Sequence, residues 1–140
     1  MNFTSSKLIR FHHCDPAGIV FYPQFFYLLH EIQEDFLAHI GFPEHTMIPT
    51  GIGVPIVDMK TQFRGMCRHG DEVTITLGLT KVGNSSIGMD YEITRGQELK
   101  LSAQAVVVYS KVPDGKPVRI PDAMRQALLP YLQTDTPKVA

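Results

Sequence analysis

The sequence predicts an α+β fold in which an antiparallel sheet of about five strands wraps around one long central helix. Two observations support this prediction. One segment repeats apolar residues every three or four positions, as an amphipathic helix does, and four later segments alternate apolar and polar residues, as half-buried strands do. A length of 140 residues with 44% hydrophobic content suits one domain, residues 1–140.

The N-terminal segment is predicted to be a short strand followed by an irregular loop. The strand covers Lys7 to Phe11. The loop from Asp15 to Pro23 contains Pro16 and Gly18, which interrupt regular structure.

The long helix is predicted from Gln24 to Ile40. Pro23 suits the first helical position because a proline there lacks only an N–H that would have no partner, and Gly41 suits the stop. The apolar residues at helical spacing are Phe25, Leu28, Leu29, Ile32, Phe36 and Ile40, and the polar residues between them are Gln33, Glu34 and His39.

The second half of the chain is predicted to form most of the sheet. Alternation covers residues 57–63, 73–79, 87–93 and 101–107. Turn residues at 83–85 and 96–97 separate the last three segments, which predicts an antiparallel meander. A short terminal helix is expected after Pro121, and the residues after Pro130 are expected to fray.

Composition excludes several classes of function. A net charge of −1 with scattered basic residues argues against nucleic acid as a partner. No signal-peptide core and no run of about 18 apolar residues is present, so we expect a soluble, cytoplasmic protein with two free thiols that binds no membrane. The exposed edges of the sheet predict a homodimer or a dimer-of-dimers tetramer.

The segment Asp-Pro-Ala-Gly-Ile-Val at residues 15–20, followed by Phe21, Tyr22 and Pro23, resembles the signature of the 4-hydroxybenzoyl-CoA thioesterase family. Members of that family have the hotdog fold, a sheet wrapped around a helix. The resemblance implies hydrolysis of an acyl-CoA to free acid and CoA without a metal or other cofactor, since CoA is part of the substrate. It also implies that Asp15 is the catalytic carboxylate and that the Tyr22 amide holds the thioester oxygen.

The chemistry agrees with these roles. Negative charge develops on the carbonyl oxygen during thioester hydrolysis, and free amides at a helix start can stabilise it. Gly18 allows a tight turn that folds Asp15 toward the helix start. Asp15 can act as a nucleophile or as a general base on water, and the sequence leaves both roles open.

The acyl pocket is expected between the helix start and a partner subunit. Candidate wall residues are Phe21, Phe25, Phe26 and Met59, which favour an aromatic or a short- to medium-chain aliphatic acyl group. His30 stands where hydroxybenzoyl-specific members of the family have a carboxylate, eight residues after the Tyr. That departure leaves the acyl group open.

Lys81 and the amides near Gly83 are the candidates for holding the CoA nucleotide, because Lys81 supplies the one cation at this turn. Further candidates are Arg95, Lys111 and Arg119. The family's hydroxybenzoyl enzymes have a basic cluster at this turn, which this chain lacks.

Other interpretations of the motif are weaker. Residues 12–15 read His-His-Cys-Asp, but neighbouring residues rarely converge on one metal ion. Cys14 is expected to pack rather than to act as a nucleophile, and His12 or His13 can tune Asp15. The alternative functions are a hotdog hydratase or dehydratase acting on acyl thioesters, and a non-catalytic acyl-CoA-binding protein.

Overall fold

The computed structural model describes residues 1–133. The main sheet has five antiparallel strands in the order β1, β4, β5, β6, β3, and a two-stranded sheet pairs β2 with β7. The strands are β1 (Phe3–Leu8), β2 (Ile52–Gly53), β3 (Ile56–Phe63), β4 (Glu72–Val82), β5 (Ser86–Arg95), β6 (Glu98–Val108) and β7 (Ser110–Lys111). The helices are α1 (Tyr22–His39), α2 (Glu44–Met47) and α3 (Asp122–Leu128), with 3₁₀ turns at Phe11–His13, Ile48–Thr50 and Leu129–Tyr131.

The meander and the central helix are confirmed. β4, β5 and β6 follow one another along the chain and pair in that order, and α1 packs its apolar side against the sheet. This is the α+β hotdog arrangement. Within residues 1–133, no helix is long and apolar enough to cross a membrane.

The helix begins two residues earlier than predicted, so Pro23 occupies its second position. Gly41 follows the helix with φ +95°, as expected of a stop. Gln33 was predicted on the polar side, and this is wrong: its side chain is 1% exposed and accepts a hydrogen bond from the Tyr91 hydroxyl at 3.2 Å. The apolar side of α1 is therefore wide enough to bury a polar group that finds its partner on β5.

The predicted strand from Lys7 to Phe11 is wrong in position. β1 instead covers Phe3–Leu8 and pairs with β4, and the chain then turns at Phe11–His13. The turn forms because the His13 side chain accepts a hydrogen bond from the Arg10 amide at 2.8 Å. A ring acceptor three residues along the chain is a local feature that periodicity does not indicate.

The edge strand β3 departs from its predicted alternation. Between Ile56 and Asp58 its register against β6 shifts, so Val57 is an extra residue of a β-bulge. Val57 is 61% exposed, and Phe63 at the other end of the strand is 50% exposed. The outer edge of β3 therefore carries apolar side chains in water.

The terminal helix is confirmed as α3. The expected fraying after Pro130 is wrong for the described part, because Tyr131 is buried and the Gln133 amide donates to the Leu79 carbonyl at 2.7 Å. The rest of that expectation, at residues 134–140, lies outside the described residues, and the single domain over residues 1–140 stays a prediction.

The long strands separate two ends of the molecule. The loop end comprises residues 9–24 and 63–71, and the turn end comprises residues 81–86 and 119–125. β4 has 11 residues and runs from one end to the other, which corresponds to about 33 Å at the usual rise of a strand.

Candidate active site

A short hairpin at the loop end presents Asp15. Cys14 pairs with Val20, the Asp15 amide donates to the Ile19 carbonyl at 3.0 Å, and the Phe21 amide donates to the His13 carbonyl at 3.0 Å. The chain thus doubles back on itself before α1 starts. Asp15 lies at the tip, and its neighbours on the returning strand lead directly into the helix.

Gly18 makes the tip possible. It has φ +79°, a conformation that glycine adopts at little cost, and its amide donates to the Asp15 carbonyl at 2.9 Å. The Ala17 amide donates to Asp15 Oδ1 at 2.9 Å. Within residues 1–133 the second carboxylate oxygen, Oδ2, has no hydrogen-bond donor, so the fold holds this half-buried group while leaving one oxygen unused.

The start of α1 presents an unused backbone donor. Phe21 precedes the helix, Pro23 has no N–H, and the Gln24 amide donates to the Phe21 carbonyl at 2.8 Å. The Tyr22 amide has no acceptor in the part of the chain that the structure describes. An unpaired N–H at the positive end of a helix is suited to an oxyanion.

The hairpin and the helix start are close together. Because His13 pairs with Phe21, Asp15 lies two residues along the hairpin from the residue that precedes the helix, about 7 Å at the usual rise of a strand. The carboxylate and the amide predicted for the chemistry therefore belong to one local structure.

An aromatic cluster surrounds the helix start. The Phe63 ring lies 6.3 Å from Tyr22, 6.0 Å from Phe25 and 6.2 Å from Phe26, measured between ring centroids. Phe21 contacts Tyr22 at 5.5 Å and is exposed. Sequence reasoning named Phe21, Phe25 and Phe26 as wall residues but missed Phe63, although an apolar residue that ends an edge strand was a usable signal.

The other predicted substrate contacts lie further away. Met59 is half-buried on β3, four residues before Phe63. His30 lies two turns along α1 from the helix start, about 12 Å at the helical rise, where its Nε2 is 2.9 Å from Glu34 Oε1. Lys81 and Gly83 lie at the turn end, so one chain does not bring them to Asp15.

The backbone groups of the turn around Gly83 already form hydrogen bonds within the fold. The Gly83 amide donates to the Ser86 carbonyl at 2.8 Å, so it is not free for a phosphate. Arg125 of α3, a residue that sequence reasoning missed, donates to the Gly83 carbonyl at 2.8 Å. Lys81 is exposed, and Arg119 donates to Asn84 Oδ1 at 3.4 Å.

The remaining candidates for the nucleotide are scattered. Arg95 lies at the loop end of β5, where it forms an ion pair with Asp71 at 3.3 Å. Lys111 is exposed on the short strand β7. Arg95 therefore lies at the opposite end of the strands from Lys81.

Neither cysteine has the environment of a nucleophile. Burial and the neighbouring Asp15 raise the pKa of the Cys14 thiol. Burial also raises the pKa of Cys67, which is fully enclosed. Both groups therefore stay protonated near neutral pH.

One group of side chains has ligand types that a metal ion could use. Within residues 1–133, the ligand atoms of His30, Glu34 and Glu44 lie within 4.8 Å of one another. Glu44 Oε2 is 3.7 Å from His30 Nε2, and burial raises the pKa of Glu44. The hydrogen bond between His30 and Glu34 accounts for part of this arrangement without an ion, and the absence of a metal or other cofactor stays a prediction.

Comparison with known proteins adds the family. A family model described as the thioesterase-like superfamily matches residues 9–128. A 1,4-dihydroxy-2-naphthoyl-CoA hydrolase from Synechocystis sp. is 26% identical over 129 residues, which cover 90% of this chain and 94% of the relative. A 4-hydroxybenzoyl-CoA thioesterase from Pseudomonas sp. is 28% identical over 97 residues, which cover 67% of this chain and 69% of the relative.

A solved structure extends the match to three dimensions. The structure of a gentisyl-coenzyme A thioesterase superposes with a TM-score of 0.83 at 26% identity, covering 90% of this chain and 99% of that one. The predicted resemblance is thereby confirmed. The chain belongs to the thioesterase-like superfamily, and it is a thioester hydrolase of the hotdog fold.

Proposed function

We propose that this protein hydrolyses an acyl-CoA with a hydroxylated aromatic acyl group to the free acid and CoA, using Asp15. The observation that supports the proposal is that the hairpin carrying Asp15, whose Oδ2 accepts no hydrogen bond within residues 1–133, leads directly into the start of α1, where the Tyr22 amide has no acceptor. The three relatives are named for dihydroxynaphthoyl-, hydroxybenzoyl- and gentisyl-CoA, which are all hydroxyaryl thioesters.

Asp15 can serve the reaction in two ways. As a nucleophile it attacks the carbonyl carbon, the C–S bond breaks, CoA leaves as the thiolate, and water then hydrolyses the acyl–aspartyl anhydride. As a general base it takes a proton from water, which attacks in its place. In both cases the Tyr22 N–H donates to the carbonyl oxygen as its charge develops.

The aromatic cluster provides the acyl site. Phe63 and Phe21 expose ring surface beside the helix start, and an aromatic acyl group can stack there. Met59 extends this apolar wall along β3. His30, paired with Glu34, offers a hydrogen bond to a ring hydroxyl in place of the carboxylate of the hydroxybenzoyl enzymes.

A homodimer would complete the site. The exposed apolar edge of β3 suits antiparallel pairing with the β3 of a second copy. In such a pair the C-terminal end of one β3, at Phe63, lies beside the N-terminal end of the other, at Ile56. The turn end of the second copy, with Lys81, would then lie beside the loop end of the first and hold the CoA nucleotide. We propose that this assembly acts in the cytoplasm without a metal or other cofactor.

The first experiment measures thiol release from hydroxyaryl, short-chain, medium-chain and long-chain acyl-CoAs, by wild type and by Asp15→Asn. We expect a hydroxyaryl-CoA to be the best substrate and Asp15→Asn to lower kcat by at least about 100-fold, since the variant loses its nucleophile or base. Asp114→Asn is the matched control, because Asp114 also accepts a hydrogen bond from the amide two residues on, at 3.0 Å, but on an exposed turn.

Three results would contradict the proposal. Undiminished kcat in Asp15→Asn would remove Asp15 from the chemistry. Water addition to an enoyl-CoA without thiol release would favour a hydratase, and binding without turnover of any thioester would indicate an acyl-CoA-binding protein.

The assembly is tested by its mass in solution. Sedimentation should give a dimer or tetramer, and Val57→Lys, which places a charge on the exposed edge of β3, should weaken the association. A wild-type monomer with full activity would contradict the shared site.

A further inference from the structure

We propose that His13 is a positioning residue that fixes the Asp15 hairpin against the start of α1, and that it does so only as a neutral imidazole. This inference rests on the proposed hydrolysis by Asp15. It concerns a residue that touches neither the thioester nor its oxygen, and its effect on the reaction would be exerted through Asp15.

His13 forms hydrogen bonds with two other residues of the loop end. Its ring Nδ1 accepts a hydrogen bond from the Arg10 amide at 2.8 Å, and its own amide donates to the Arg10 carbonyl at 3.0 Å. Its carbonyl accepts a hydrogen bond from the amide of Phe21, the residue that precedes the helix. Asp15 follows two residues later, so the side-chain bond braces the turn from which the hairpin begins.

The hydrogen bond sets the protonation state of the ring. Because Nδ1 accepts from a backbone N–H, the proton of the neutral imidazole lies on Nε2. A second proton would have to go to Nδ1, where it would face the Arg10 N–H, and the hydrogen bond would be lost. His13 can therefore brace the turn only when it is uncharged.

The surroundings also favour the uncharged ring. The side chain is 6% exposed, and burial together with the neighbouring His12 lowers the pKa of His13, with a smaller lowering from Arg10. Glu31 of α1 opposes this by raising the same pKa. Lys7 of β1 is the remaining charged group that lines the cavity beside the ring, and it is held by Glu31 and Asp35.

Substitutions can separate the effect of the hydrogen bond to Arg10 from the effect of filling the space of the ring. Asn places an acceptor oxygen close to the position of Nδ1, so His13→Asn should retain the bond to Arg10, whereas His13→Leu fills the space without an acceptor. We expect kcat to fall at least about 10-fold in His13→Leu with KM within about twofold, and to stay within about threefold of wild type in His13→Asn. The control is His45→Leu, an exposed histidine on α2, which should leave both parameters unchanged.

A second readout does not depend on activity. Nitrogen NMR of the His13 ring should show Nε2 protonated and Nδ1 bare near neutral pH. Because the folded-state pKa is lowered, the unfolded chain binds the proton first as the pH falls below about 6.5. Wild-type stability should therefore be complete above that pH and decrease below it, and His13→Asn should decrease less.

The inference is overturned if His13→Asn is as slow as His13→Leu, if the ring carries its proton on Nδ1, or if His13→Leu keeps full kcat. Failure of the proposed function gives a different pattern. If Asp15→Asn stays active, or if no thiol is released at all, His13 has no effect on catalysis through Asp15. The NMR measurement and the pH dependence of unfolding would still decide whether the hydrogen bond braces the hairpin.

Discussion

The loop end and the turn end of the molecule use their polar groups in opposite ways. At the turn end the Gly83 amide and both terminal nitrogens of Arg125 donate to backbone carbonyls, and of the Arg125 guanidinium only Nε is buried without a partner in the described part of the chain. At the loop end the Tyr22 amide and one oxygen of Asp15 are left without partners within residues 1–133. Since the fold does not need these loop-end groups for itself, they are available to a substrate, whereas the turn end stabilises the fold.

The contrast extends to the apolar side chains. Phe63 and Phe21 leave much of their ring surface in water at the loop end. At the turn end Ile120 and Met124 are fully buried against the sheet. We therefore expect chemistry and acyl recognition at the loop end, and at the turn end a contribution mainly to stability with a weaker one from Lys81 to binding the CoA nucleotide. Three substitutions test that division.

The largest effect is expected from Arg125→Met. The guanidinium donates to the carbonyls of Val82, Gly83 and Asn84 at 3.5, 2.8 and 3.4 Å, and methionine keeps the apolar stem but none of these bonds. We expect the free energy of unfolding to fall by about 2–3 kcal/mol, because partly buried carbonyls lose a charged donor, while kcat stays unchanged. Denaturant unfolding and steady-state kinetics measure the two quantities.

Arg119→Met is the control for that substitution. Arg119 is exposed and contacts Asp122 at 3.2 Å, so its loss should change the free energy of unfolding by no more than about 0.5 kcal/mol. A fall in kcat with unchanged stability in Arg125→Met would show that the turn end takes part in the chemistry.

Phe63→Ala is expected to have a smaller effect, and mainly on substrate binding rather than on stability. We expect KM for the best aromatic acyl-CoA to rise about 10-fold, equivalent to about 1.4 kcal/mol, because the acyl ring loses a stacking partner. The free energy of unfolding should fall by only about 1 kcal/mol, because half of the ring is already in water.

Leu129→Ala removes a similarly exposed side chain away from the loop end and should leave KM unchanged. A Phe63→Ala enzyme with wild-type KM and a large loss of stability would show that Phe63 serves the core and not the substrate site.

The parts of the fold that the sequence predicts are those with a repeating pattern. α1 and the meander each bury one regular face, so periodicity identifies them. β1 was misplaced because its half-buried positions include the polar Ser5 and Lys7 while the apolar Leu8 is exposed, which hides the alternation. Strands β2 and β7, with two residues each, are too short to show any pattern.

The site was predictable where it is local and not where it depends on distant contacts. The motif at residues 15–23 contains the Gly18 turn, which forms as predicted, and the helix start, which lies two residues earlier than predicted. Phe63 joins the site through ring contacts with residues some 40 positions earlier, and Arg125 reaches the Gly83 turn across 42 positions. Such contacts are set by how the sheet wraps the helix, which no single segment encodes.

The smallest effect is expected from Lys81→Ala, and it tests whether the turn end contributes to binding. Lys81 is exposed, so a contact with a CoA phosphate is screened by solvent and salt. We expect KM to rise about two- to threefold at low ionic strength, with kcat unchanged, and the difference to disappear at high salt. The exposed Lys116, placed on a different turn, provides the control Lys116→Ala, which should leave KM unchanged. A tenfold rise that persists at high salt would mean that Lys81 is enclosed when substrate binds, which a second copy packed against the turn would explain and an isolated chain would not.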